Sequence, residues 1–252
     1  MFRFVLFWLL ISPFSLRAEP LVDWAQKVKE SSQQKKWEEV AQIVKSIPEK
    51  SIHEGYRSWN LAIAAMYQEK WGEALYYAEK ALVFFPRNAE LRAEYDFIKS
   101  KIGKIEDIRG KIFRWGDFVF FWKNWATLQE WTYSLGSVWL IFWGLSLVFF
   151  FKNRYPKMIY LTGIFLALFL GGSCFLKWYE QSHSWAIVLQ TDTPVLNTIL
   201  EKESTRKLQL GARVEILSTQ LLPEGQEYYQ ISLPSEKTGW VAASHLGLMG
   251  TN

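Results

Sequence analysis

Two uncharged apolar runs, 131–151 (WTYSLGSVWLIFWGLSLVFFF) and 158–176 (MIYLTGIFLALFLGGSCFL), limit what this chain can become more than any other feature. Each is about as long as a helix needs to cross the hydrocarbon core of a bilayer. The residues between them, 152–157 (KNRYPK), carry Lys152, Arg154 and Lys157, and short basic loops stay on the cytoplasmic side. The reading is a two-helix transmembrane hairpin whose flanking segments both face the extracytoplasmic side. Trp131, Tyr133, Tyr155, Trp178 and Tyr179 fall near the span ends, where amphipathic rings prefer to sit.

Residues 1–18 open with Arg3, continue through an apolar stretch at 4–11 and end on the small Ala18. That is the layout of a signal peptide, cleaved after Ala18 or kept as an anchor; both versions export the chain from Glu19 onward. The net charge of +4 then has a place, because Arg3, Arg17 and the three loop cations account for it. Basic balance of this kind reflects membrane topology and speaks against nucleic acid as a partner. Cys174 is the one cysteine and lies inside the second apolar run, where it reads as a small packing residue.

Residues 19–104 read as helices. Apolar residues recur at three- and four-residue intervals over 23–32, 36–47, 56–67 and 72–85, and Pro48 and Pro86 end the second and fourth runs. The stretch QKKWEEV (34–40) returns 34 residues later as QEKWGEA (68–74), and Val28, Val40, Val44 and Ile47 map onto Ala62, Ala74, Ala78 and Ala81. Thirty-four residues is the length of a tetratricopeptide repeat, a helix–turn–helix unit. The second copy resembles that pattern in Leu61, Ala62, Ala74, Ala78, Ala81, Leu82 and Pro86; the first is degenerate, with Trp24 in the aromatic position and Lys27 where Leu is usual. An ordinary helical bundle with an accidental echo is the competing reading. Residues 88–102 supply a covering helix, and a partner or second copy of the chain is another way to complete so short an array. The resemblance implies binding through the first helix of a repeat, which selects Tyr56, Trp59, Asn60, Ile63 and Tyr67; burial against neighbours is the alternative for each aromatic.

Residues 105–130 mix Arg109, Lys111, Arg114 and Lys123 with Ile112, Phe113, Trp115 and FVFFW, which suits a juxtamembrane segment in the headgroup region or a packing element. Gly163, Ala167 and Gly171 recur every four residues in the second span. Such a stripe permits close helix contact, either with the first span or with another membrane protein.

From Trp185 the pattern becomes β: AIVL, RVEIL, YYQISL and GWVAASHL are short β-branched or aromatic runs separated by Gly, Pro and polar turns, with Gly211 at a turn. Residues 185–249, with Gly239-Trp240-Val241 near the end, resemble a bacterial SH3-like barrel. That family binds peptides or cell-wall material. Trp240 lines a groove or belongs to the core.

The histidines His53, His183 and His245 fall in separate segments without metal-ligand spacing, and no nucleotide, metalloprotease or nucleophile-elbow motif occurs. The expectation is no enzyme, no catalytic residues, no metal and no cofactor. The order of parts as a whole resembles the BatE family of the bacterial Bat aerotolerance system, on the strength of WNLAIAAMYQEKWGEALYYAEKALVFFPRNAELR and EKTGWVAASHL. The resemblance implies a multidomain inner-membrane protein: periplasmic all-α tetratricopeptide repeats, a transmembrane hairpin and a periplasmic all-β SH3-like barrel. It further implies a scaffold for protein–protein interaction, with Bat proteins bearing von Willebrand A domains and a MoxR-type ATPase, tied to oxidative-stress tolerance or envelope integrity. A cell-envelope sensor that binds peptidoglycan through the SH3-like module is the other expectation.

Overall fold

The computed structural model describes residues 19–48, 51–109, 124–151, 157–199, 206–223, 225–233 and 237–249. The expected signal peptide (1–18), all of the expected loop 152–157 but Lys157, and most of the expected juxtamembrane segment (110–123) lie outside them. Seven α-helices precede an antiparallel sheet among the described residues: α1 Glu19–Gln33, α2 Trp37–Ser46, α3 Glu54–Tyr67, α4 Trp71–Phe84, α5 Ala89–Ile102, α6 Leu128–Phe151 and α7 Lys157–Ser182.

The sequence echo has a geometric counterpart. α1 and α3 are each followed by a residue in the left-handed region, Lys35 (φ 56°) and Glu69 (φ 59°). Lys36 N then donates to Ser31 O at 2.9 Å, and Lys70 N to Ala65 O at 3.0 Å, each closing the wide ring that follows a left-handed helix terminus. The next residue, Trp37 or Trp71, opens the following helix. Each of these pairs is separated by the 34 residues of the echo. Sequential neighbours pack in turn, and small residues make the closest pair possible: Ala62, Ala65, Ala74 and Ala78 lie buried together between α3 and α4. Val40, Val44, Leu61 and Ala64 fill the space between α2 and α3. Asn88 caps α5 by accepting from Leu91 N at 3.0 Å, the role its short side chain suits.

α6 and α7 are the helices long and apolar enough to cross a membrane among the described residues, with 22-residue candidate spans Leu128–Phe149 and Leu161–Ser182. At 1.5 Å per residue each is about 33 Å long. Their flanks are bare: Leu140, Ile141, Phe165 and Leu168 are each more than 60% exposed. An exposed apolar surface of that extent marks a contact face, with a membrane or with another protein. Between the two helices Gly163 faces the Phe142 ring, leaving no room for a side chain there, whereas Gly171 faces open space.

The strands are β1 Trp185–Val188, β2 Thr193–Val195, β3 Arg206–Leu208, β4 Arg213–Leu221, β5 Glu227–Ser232, β6 Thr238–Ala242 and β7 Leu246–Met249. They form a five-stranded sheet in the order β6-β5-β4-β1-β7 and a separate β2-β3 ribbon. The expected barrel does not close. Within the described residues the ribbon meets β6 through the single bridge Leu196–Trp240, and β7 and β6 remain at opposite edges. The ribbon that would close it has strands of only three residues, too short to join the two edges, while β1 and β7 turn one face into the sheet's core and the other onto the helices. Ala186 and Val188 join the sheet's own core, while Trp185, Ile187 and Met249 belong to a second core with Leu75, Ala78 and Ile98.

Candidate functional site

α3 carries Tyr56, Trp59, Asn60, Ile63 and Tyr67, the five helix residues selected by the repeat resemblance. Ser58, Leu61, Ala62, Ala64 and Ala65 point into the bundle, which turns those five the other way. Tyr56 (52%) and Tyr67 (57%) are exposed at the two ends of a strip about 16 Å long. Between them Trp59, Asn60 and Ile63 are half-buried. Each polar or aromatic member is held. The Trp59 indole donates to Glu94 Oε2 on α5 at 2.6 Å, and Asn60 Nδ2 donates back to the Tyr56 carbonyl at 2.8 Å. Tyr67 stacks on Trp37 with centroids 4.1 Å apart, and Tyr56 packs on Phe85 at 4.7 Å. Gly55 makes the last contact feasible, since a Cβ there would come within 2.6 Å of the Phe85 ring. Burial pushes the Glu94 carboxyl up, and the Trp59 hydrogen bond partly offsets it. The strip is therefore an ordered, mostly aromatic surface.

Trp240 sits elsewhere, on β6, half-buried, its backbone exchanging hydrogen bonds of 2.7 and 2.9 Å with Leu196. It does not join the α3 strip. His53 caps α3 by accepting from Gly55 N; His183 stacks on Tyr179; His245 lies in the turn before β7.

A second cluster joins helices and sheet, and no sequence motif marks it. Arg213 on β4 donates to Glu79 on α4 and, at 3.0 Å, to the Tyr95 hydroxyl on α5; Tyr95 in turn donates to Glu79 Oε1 at 3.1 Å. The chain after α5 is drawn into the same place: Ile108 N donates to Arg213 O at 2.8 Å and Arg213 N to Glu106 O at 2.9 Å, so residues 106–108 run beside β4 as a short parallel addition. Asp107 accepts from Arg109 Nε and Nη2 at 3.0 and 2.7 Å, and the Arg109 guanidinium lies 4.8 Å from the Trp185 ring centroid. Burial alone would raise the Asp107 carboxyl, but the hydrogen bonds and charge of Arg109, with Arg213 behind, hold it below its ordinary value. The Glu79 carboxylate raises Arg213 further above its already high value, and burial raises the Tyr95 phenol well above its ordinary range.

Beside this cluster opens a cavity of about 560 Å³, walled by α4, α5, the sheet, Arg109, and the ends of the apolar helices through Asn124, Lys177 and Glu180. The partners stand up to 134 residues apart in the chain, which is why no local spacing revealed them. One signal was available: AIVL is continuously apolar, the pattern of a strand buried on both faces. Comparison of the chain with protein-family models, curated proteins and solved structures finds no match.

Proposed function

We propose that this chain is a non-catalytic scaffold of the bacterial inner membrane, a tetratricopeptide-repeat protein of the BatE type with an SH3-like C-terminal module. Its helices and sheet stand in the periplasm, and the loop 152–157 lies in the cytoplasm. α3 offers Tyr56, Ile63 and Tyr67 to a Bat partner carrying a von Willebrand A domain, in a complex that serves oxidative-stress tolerance or envelope integrity. The observation that carries this reading is the stiff mounting of that surface. α7 runs into β1 across only His183 and Ser184, and Trp185 and Ile187 of β1 share a core with α4. A surface fixed at one height above a bilayer suits the assembly of membrane-borne partners. The recurrence of the left-handed turn at 34 residues supports the repeat assignment.

The test is co-purification of von Willebrand A-domain Bat proteins with the full chain and with Tyr56→Ala/Tyr67→Ala. Both tyrosines are more than half exposed, but each also packs on a neighbouring ring, so a thermal melt is run beside the pull-down to establish that the variant is folded. The proposal expects partner recovery to fall several-fold; equal recovery from a folded variant contradicts it.

A further inference from the structure

The geometry points to a lipid contact at the foot of the helical bundle: Phe84 and Tyr56, with His53 and Arg87 beside them, rest in the headgroup layer of a bilayer. The inference rests on the reading of α6 and α7 as membrane spans.

The height of this foot follows from α4. Gly72, in its first turn, lies over the Leu189 carbonyl, just past the far end of β1. Leu75 and Ala78 then pack with Ile187, and Leu82 and Val83 reach Trp185, Lys177 and Glu180 around the cavity. α4 therefore returns along β1 toward the end of α7. Its 14 residues cover about 21 Å, whereas the four of β1 cover about 13 Å. The helix thus comes back to the level at which α7 ends, and Arg87 just beyond it pairs with Glu130 in the first turn of α6. α3 runs antiparallel to α4, so its start stands at the same foot. His53 meets Phe84 edge-on with centroids 5.1 Å apart, and Tyr56 packs on Phe85 at 4.7 Å.

Packing accounts for only part of this ring cluster. Phe85 is half-buried over Gly55, and Trp59 behind it is tied to Glu94. Phe84 and Tyr56 stay 37% and 52% exposed, and the Arg87 side chain is 67% exposed. Exposed rings with a polar edge or a basic neighbour settle at the membrane–water boundary. Here they stand where the apolar surface of α6 begins, and the Arg87–Glu130 pair joins the two. Ring burial in the headgroup layer needs no anionic lipid, so phosphatidylcholine suffices. Tyr67, about 16 Å along α3 from Tyr56, stands clear of that layer.

The experiment places the full chain in phosphatidylcholine vesicles and reads depth from a fluorescent label on single cysteines. Cys174, the one native cysteine, is removed by Cys174→Ala. Labels go on Phe84→Cys, Arg87→Cys, Tyr67→Cys and, within α6, Leu140→Cys. Thermal melts confirm that each variant is folded; the more exposed Arg87 position decides if Phe84→Cys does not fold. The quenchers are phosphatidylcholine with a nitroxide on its headgroup, phosphatidylcholine with a nitroxide at mid-chain, and aqueous iodide on both faces. The expected result is headgroup quenching at the Phe84 and Arg87 positions, with iodide access about threefold or more below that at the Tyr67 position. The Leu140 position is expected to be quenched from mid-chain. Iodide access at the foot equal to that at the Tyr67 position, with the Leu140 position still quenched, overturns the proposal and leaves the membrane reading standing. Shielding from iodide without headgroup quenching means that protein covers the foot, which overturns it as well. A label at the Leu140 position that no lipid quenches removes the membrane reading and the proposal with it.

Discussion

Glu69 holds its backbone in the left-handed region that costs an ordinary residue about 1–2 kcal/mol, and Lys35 does the same 34 residues earlier. Glycine fits there without strain but loses more freedom on folding. Glu69→Gly therefore stabilises by about 0.5–1 kcal/mol net, read as a rise in melting temperature; a fall would show that the Glu69 side chain contributes something the geometry does not reveal. The turn itself was legible because QKKW and QEKW repeat. The ionic cluster was not, since Arg213 and Glu79 carry no local mark of each other. Its acid response is specific. Asp107 has a folded-state value below its ordinary 3.8. The stability it contributes is thus fully present above that pH and lost as pH falls through the folded value. Asp107→Asn lowers the melting temperature at neutral pH, and the gap to the parent closes as pH falls below 3.8. A gap that stays constant with pH would mean that the Asp107 charge contributes nothing to stability.

Among the elements, α4 does most to set the architecture, for it packs on α3, α5 and the sheet at once. Its first turn approaches the sheet so closely that a Cβ on Gly72 would overlap the Leu189 carbonyl, and Gly247 of β7 lies against the Tyr76 ring in the same way. Backbone facing backbone cannot yield as a flexible side chain can. Gly72→Ala costs about 1–3 kcal/mol, measured by thermal melting, whereas Gly144→Ala, which meets nothing within 4 Å, changes little. Equal effects would mean that α4 does not seat on the sheet as described. Helices and their breaks could be read from period and proline because those signals are local. Strand β1 was found for the same reason, but its two-sided burial depends on what α4 presents to it. The β2-β3 ribbon went unread: its strands are only three residues each, too short for alternation to register.

At the scale of the molecule, helices, connector and sheet form one body above a pair of exposed apolar helices. Ile108 from the connector sits in the sheet's core, Trp185 from the sheet sits in the helices' core, and Arg87 pairs with Glu130 at the start of α6. Separate modules on flexible tethers would share none of these. The most direct test is native-state amide hydrogen exchange on the full chain in detergent, comparing the parent with Arg213→Met. That substitution strands the Glu79 carboxylate, which is only 8% exposed, and destabilises by about 3 kcal/mol. In a single body, protection falls together at Leu75 and Ala78 of α4 and at Ile187 and Val214 of the sheet. Loss confined to the sheet, with α4 as protected as before, would contradict it.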